Sequence, residues 1–147
     1  MMPFRKQCFM AGLIALAGIG FLGTGDAFAV NTTDNQAKKA VKIVQTAGRQ
    51  QLGNFAPDFA RYNDDILFGE VWSKNDVLPL KERSIVTVSA LIAQGITDSS
   101  LKYHMETAKK NGVTKDEMAE IITQLAFYSG WPKAWAAFGY AKEVYND

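Results

Sequence analysis

LKERSIVTVSALIAQGITDSSLKYH, residues Leu80 to His104, decides how the rest of the chain folds. Its Ile85, Val86, Thr87 and Val88 are β-branched and suit a buried strand. The apolar character continues without a break through Ala93, however, and Gly95 follows where a helix C-cap belongs. Length therefore selects a mostly buried helix over 81–94. Glu82, Val86 and Ser89 fall on one face of it at i, i+4 and i+7, which predicts a carboxylate on the first turn of an apolar surface. The stretch ends at His104, the single histidine of the chain. An antiparallel packing of this helix on the next, across the short 95–99 connection, would bring Glu82 and Ser89 near His104. A carboxylate there would fix the tautomer of the imidazole and raise its pKa, as suits a proton donor near neutral pH. The plainer reading keeps His104 as a partly buried histidine bonded to a backbone carbonyl and Glu82 as an acid that complements the helix dipole.

Working outward, Asp98, Ser99 and Ser100 supply cap residues for a helix with Leu101, His104, Met105 and Ala108 on one side, ended by Asn111-Gly112. Thr114 and Glu117 have capping-box spacing. The helix they start carries the apolar stripe Met118, Ile121, Ile122, Leu125 and Ala126 and stops at Gly130. Pro132 opens a last helix with Trp135, Ala136, Phe138, Ala141 and Val144. Upstream, Ala37, Ala40, Val41, Val44 and Ala47 are spaced for an amphipathic first helix ending near 48–53, and Lys38, Lys39 and Lys42 read as its solvated face. Phe55-Ala56-Pro57-Asp58 reads as a second helix start, continuing to Trp72, and residues 73–79 as a loop. The pattern predicts an all-α domain, a small bundle of five or six helices.

Residues 1–29 read as a signal peptide. Arg5 and Lys6 precede an uncharged apolar and glycine run, and Ala27-Phe28-Ala29 has the small-x-small form of a cleavage site. The run is shorter than a membrane span. This predicts an exported protein, periplasmic or secreted, without stable membrane insertion after cleavage, whose domain is 30–147. The sole cysteine, Cys8, would leave with the signal, excluding disulfides and thiol redox chemistry. The chain has 16 basic and 15 acidic side chains, and losing residues 1–29 makes it formally neutral, which argues against a nucleic-acid partner. One histidine and scattered carboxylates give no metal-ligand spacing, so no metal or other cofactor is expected. Trp72, Trp131 and Trp135 read as core or subunit-interface residues, and Tyr128 carries the same ambiguity.

The segments Phe68-Gly69-Glu70-Val71-Trp72-Ser73, Leu80 to Thr87, Leu101-Lys102-Tyr103-His104, Asn111-Gly112-Val113-Thr114 with Glu117, and Gln124 to Pro132 resemble the carboxymuconolactone decarboxylase family in its own motif order, over about residues 55 to 145. The resemblance implies a small all-α bundle, typically a trimer or hexamer with sites at subunit boundaries. One branch of this family is a thiol peroxidase with the pattern Cys-x-x-Cys-x-x-x-His. Here Thr97, Ser100 and His104 stand at those positions, and hydroxyls cannot cycle through a disulfide. The cysteine-free branch includes decarboxylases of 4-carboxymuconolactone. It implies a cofactor-independent lyase for a small lactone or carboxylic acid, with His104 as general acid/base and Glu82 orienting it. On this reading Arg83 holds a substrate carboxylate, Trp72 and Tyr128 line an apolar pocket, and Ser100 contacts substrate. The family's decarboxylase of aromatic-acid degradation is expected in the cytoplasm, and the export signal points the other way. The competing expectation is a non-catalytic exported oligomeric binding or scaffold protein on the same fold.

Overall fold

The computed structural model of the chain describes residues 39–146, and the expected signal peptide lies outside the described residues. Helix α1 (Ala47–Leu52) precedes α2 (Pro57–Arg61), which runs directly into a π-helical segment, Tyr62–Trp72. Four longer helices follow: α3 (Leu80–Gln94), α4 (Ser99–Lys110), α5 (Lys115–Ser129) and α6 (Trp131–Val144). The all-α expectation holds, with no strand among the described residues.

The long helices start and stop where local chemistry dictates. Gly95 closes α3 in the left-handed region at φ 79°, a conformation that a Cβ would penalise. Asp98 caps α4 by accepting the Ser100 N–H, and Thr114 and Glu117 form the reciprocal capping box of α5. Glu117 also accepts from Lys81 Nζ at 2.6 Å, tying the start of α5 to the start of α3.

The core lies between α3, α4, α5 and α6, where Val88, Ile92, Leu101, Met105, Met118 and Ile122 are fully buried. Burial of each such side chain stabilises the fold by about 1.5–3 kcal/mol relative to exposure. Alanines at 134, 137 and 141 let α6 approach closely. Tyr145 closes the end by donating its hydroxyl to the Val113 carbonyl. Buried Ser84 donates to the Leu80 carbonyl at 2.8 Å and accepts from Asn111 Nδ2 at 2.9 Å. That bond sets the C-terminus of α4 beside the N-terminus of α3, so the two helices are antiparallel, as expected.

Three expectations are corrected. α3 buries the Ser84, Val88, Ile92 face, and Glu82 and Val86 lie on the exposed side, so the helix is buried along one stripe only. On α6, Trp135 is exposed, which removes the core reading of this residue and not the subunit-interface one, and the inward stripe runs through Ala134, Ala137 and Ala141. Residues 39–46 are not helical. Their backbone finds partners in the loop after the π-helical segment: Val41 N–H donates to Asn75 Oδ1, Asn75 Nδ2 donates back to the Val41 carbonyl, and Ile43 N–H donates to Ser73 Oγ. Lys42, expected on a solvated helix face, donates its ammonium to the Gly69 carbonyl. These side-chain partners replace the helical ladder that the spacing alone suggested.

Candidate functional site

His104 stands on a groove of about 520 Å³ between three walls. One is the first turn and a half of α4, with Ser99, Ser100 and Tyr103. The second is formed by α2 and the π-helical segment, through Phe59, Asn63, Leu67 and Phe68. The third is Gln45 to Leu52, the end of the non-helical strap and α1.

Asp64 builds the junction between the last two walls. It is buried at 2% exposure and accepts from the backbone N–H of Gly48 and Arg49 at 2.9 and 3.0 Å, from Arg49 Nη1 at 3.3 Å and from Asn63 Nδ2 at 3.0 Å. Burial pushes this carboxyl up, but hydrogen bonds from Asn63, Arg49 and Gly48 and the Arg49 charge outweigh it and hold the group below the usual carboxylate range. Arg49 is in turn forked onto Asp65 at 2.6 and 3.0 Å. The π-helical register, with one more residue per turn than an α-helix, lets one segment send Asp64 inward to α1 while Asn63, Leu67 and Phe68 reach the groove.

The His104 ring is half-buried and packs edge-on against Tyr103, with centroids 5.2 Å apart. No described residue hydrogen-bonds either ring nitrogen. Burial alone lowers its pKa, so the imidazole is neutral at pH 7. This corrects the sequence expectation of a carboxylate-raised pKa. Ser100, one turn earlier, donates its hydroxyl to Asp98 Oδ1, which also takes the Ser100 N–H. Those bonds, with the hydroxyl first, hold the Asp98 carboxyl down. With its proton committed, Ser100 offers the groove only acceptor lone pairs.

Of the residues singled out in the sequence, His104 and Ser100 share this groove and the others do not. Glu82 lines a separate cleft of about 410 Å³ with Asn75, Lys81 and Asn111. Asn111, beside Ser84, is seven residues beyond His104, about 10 Å along the axis of α4. The expected Glu82–His104 pair is therefore absent within one chain, because antiparallel packing aligns the start of α3 with the wrong end of α4. Arg83 donates from Nη2 to the Lys74 carbonyl at 3.0 Å and keeps a buried, unpartnered Nε. Trp72 packs on Phe68 at 5.7 Å and does not itself line the groove. Tyr128 is 83% exposed, next in sequence to the exposed Phe127, whose ring packs edge-on against Trp131 at 5.5 Å.

A model of the carboxymuconolactone decarboxylase family matches residues 57–143. The chain belongs to the carboxymuconolactone decarboxylase family. The match covers α2 and the π-helical segment through nearly all of α6, in accord with the span expected from the motifs. Over 98 residues the chain is 40% identical to the 4-carboxymuconolactone decarboxylase of Acinetobacter baylyi (strain ATCC 33305 / BD413 / ADP1), covering 67% of this chain and 72% of that protein. Over 84 residues it is 30% identical to an uncharacterized 15.0 kDa protein in the nqo9-nqo10 intergenic region of Paracoccus denitrificans, covering 56% of this chain and 62% of that one. The decarboxylase family span supplies Asn63, Phe68, Ser100 and His104 to the groove. The third wall, Gln45 to Leu52, lies outside it.

Proposed function

We propose that the chain is a cofactor-independent lyase of the decarboxylase type, acting on a small lactone or carboxylic acid with His104 as its acid/base group. The observation that carries this reading is a half-buried, neutral imidazole, without a hydrogen bond to any described residue, on a groove of ligand size. The similarity to a 4-carboxymuconolactone decarboxylase supports a small-molecule substrate of that kind. Loss of carbon dioxide from a lactone carboxylate leaves the bonding pair delocalised onto the lactone oxygen, and one proton from solvent must then reach carbon. A neutral imidazole donates its N–H to the developing oxyanion and relays the incoming proton, ending neutral again. The apolar faces of Leu67 and Phe68 thin the hydration of the departing carboxylate.

The pH–rate profile tests the protonation state. With 4-carboxymuconolactone followed by its ultraviolet absorbance, kcat/KM is expected to be level around pH 7–8 and to fall on the acid side. The midpoint is expected below the ordinary histidine value of 6.5 as the ring gains its proton. A rate that rises toward acid pH would make the imidazolium the working form and overturn the assignment, and no turnover at any pH would favour the binding or scaffold reading.

The same reading includes a homo-oligomer, trimer or hexamer, closed over the patch of Phe127, Tyr128, Trp131 and Trp135. These aromatic side chains are 55–83% exposed, and large apolar groups left in water in numbers mark interaction surfaces. Light scattering is expected to give a multiple of the chain mass, and Trp135→Glu to move it toward the monomer. An unchanged mass for that variant would remove the patch from the interface. Export after removal of residues 1–29 completes the proposal, on the charged, apolar and Ala27-Phe28-Ala29 pattern.

A further inference from the structure

Two carboxamides on the groove have orientations that their partners decide. Gln45 Oε1 accepts the backbone N–H of Thr46 at 2.9 Å and of Ala47 at 3.0 Å. Only the oxygen of a carboxamide can accept from an N–H, so the group cannot be turned round. What Gln45 has left for the groove it lines is its NH2. Asn63 is fixed in the opposite sense, because its Nδ2 donates to Asp64 Oδ1 and a carboxylate can only accept. Its carbonyl oxygen and one N–H are what remain. No described group pairs with Gln45 Nε2, and that atom is not sealed from solvent.

We propose that Gln45 is a substrate-positioning residue, its NH2 seating a carboxylate or lactone carbonyl oxygen of the ligand across the groove from His104. The inference rests on the reading of this groove as the ligand site and adds the group that orients the ligand in it. Asn63 has one N–H of its NH2 committed to Asp64, Ser100 has its proton on Asp98, and Gln51, also on the groove, has no hydrogen bond to a described residue that would settle its orientation. Gln45 therefore supplies the strap wall of the groove with an NH2 of settled direction and both N–H groups uncommitted. Gln45 lies in the strap, ahead of the family-matched residues 57–143 that supply His104.

The test uses the purified protein and an unreactive probe, the saturated γ-lactone 5-oxotetrahydrofuran-2-carboxylate, followed by two-dimensional NMR and calorimetry. The side-chain NH2 pair of Gln45 is expected to shift with the His104 ring signals as probe is added. Gln45→Glu keeps an oxygen for the Thr46 and Ala47 amides but replaces the donor with a charged acceptor, and it is expected to weaken binding by about tenfold or more. Gln50→Glu makes the same charge change on a side chain that bonds Thr46 Oγ1 outside the groove, and it is expected to stay within about twofold of wild type. Probe binding that shifts His104 but not the Gln45 NH2, or an unweakened Gln45→Glu variant, overturns this proposal and leaves the groove reading standing. A probe that shifts neither overturns both. Should Gln45→Glu fail to fold, the wild-type titration still decides.

Discussion

His104→Ala is expected to lower kcat on 4-carboxymuconolactone by roughly 10²–10⁴-fold, the usual contribution of a positioned acid/base group, while the fold survives. Both halves follow from the same geometry. The ring makes no hydrogen bond to the described chain and is half-buried, so its removal strands no polar partner and opens no sealed cavity. The buried residues of α4, Leu101, Met105 and Ala108, stay packed. His104→Gln keeps polar bulk in the groove but cannot exchange a proton near neutral pH, so it is expected to be as inactive as the alanine variant. Equal turnover by wild type and His104→Ala would sink the site. Stability gives a second readout. A histidine whose pKa is lowered by folding takes up its proton more readily when unfolded, so wild-type stability is fully present above pH 6.5 and falls as pH drops through the lowered folded value. His104→Ala should lose that part of the acid sensitivity, visible as a flatter dependence of the thermal midpoint just below pH 6.5. The steeper losses at lower pH, from Asp64, Asp65 and Asp98 with their lowered pKa values, should remain.

What could be read in the sequence was what neighbouring residues settle among themselves. Gly95 after an apolar run, Asp98 two residues before Ser100 and Thr114 three before Glu117 each fix a helix end through atoms a few residues apart, and each appears in the fold. His104 and Ser100, one helical turn apart on α4, share a groove for the same reason. Glu82 failed because its position relative to His104 depends on how far two helices slide along each other, which periodicity does not encode. The strap failed because Val41 and Ile43 are held by Asn75 and Ser73, 34 and 30 positions away in the sequence. Gln45 left no signal at all, since its role comes from a side chain folding back on its own two following amides. Asn63-Asp64-Asp65 did leave one that was passed over. Two acids inside an apolar helical pattern ask where their charge is balanced, and Arg49 is the answer.

Gly48→Ala is expected to detach the third wall of the groove. A Cβ at Gly48 would lie 2.7 Å from Asp64 Oδ1, 2.9 Å from the Ala60 carbonyl oxygen and 3.1 Å from Ala60 Cα. None of these can retreat cheaply: Ala60 is buried helical backbone, and the Asp64 carboxylate is held by Gly48, Arg49 and Asn63. Helix α1 must therefore move, breaking the Gly48 and Arg49 amide bonds to Asp64, at an overpacking cost of about 1–3 kcal/mol. The cost falls on a six-residue helix that contributes nothing to the core cluster of α3 to α6, so local opening comes before global unfolding. Hydrogen exchange should show faster exchange at residues 48–52 with the core amides of Ile92, Met105 and Ile122 nearly unchanged. Affinity for the lactone probe should fall at least tenfold, because Gln45, Ala47, Gly48, Gln51 and Leu52 leave the groove together. Gly139→Ala serves as the contrast. A Cβ there meets nothing within 4 Å, and in the interior of α6 alanine is the better helix former by up to about 1 kcal/mol. The thermal midpoint of that variant should hold or rise. Unaltered protection of α1 and unaltered probe affinity in Gly48→Ala would mean that the wall tolerates the methyl group and that the Asp64 clamp does not define the groove.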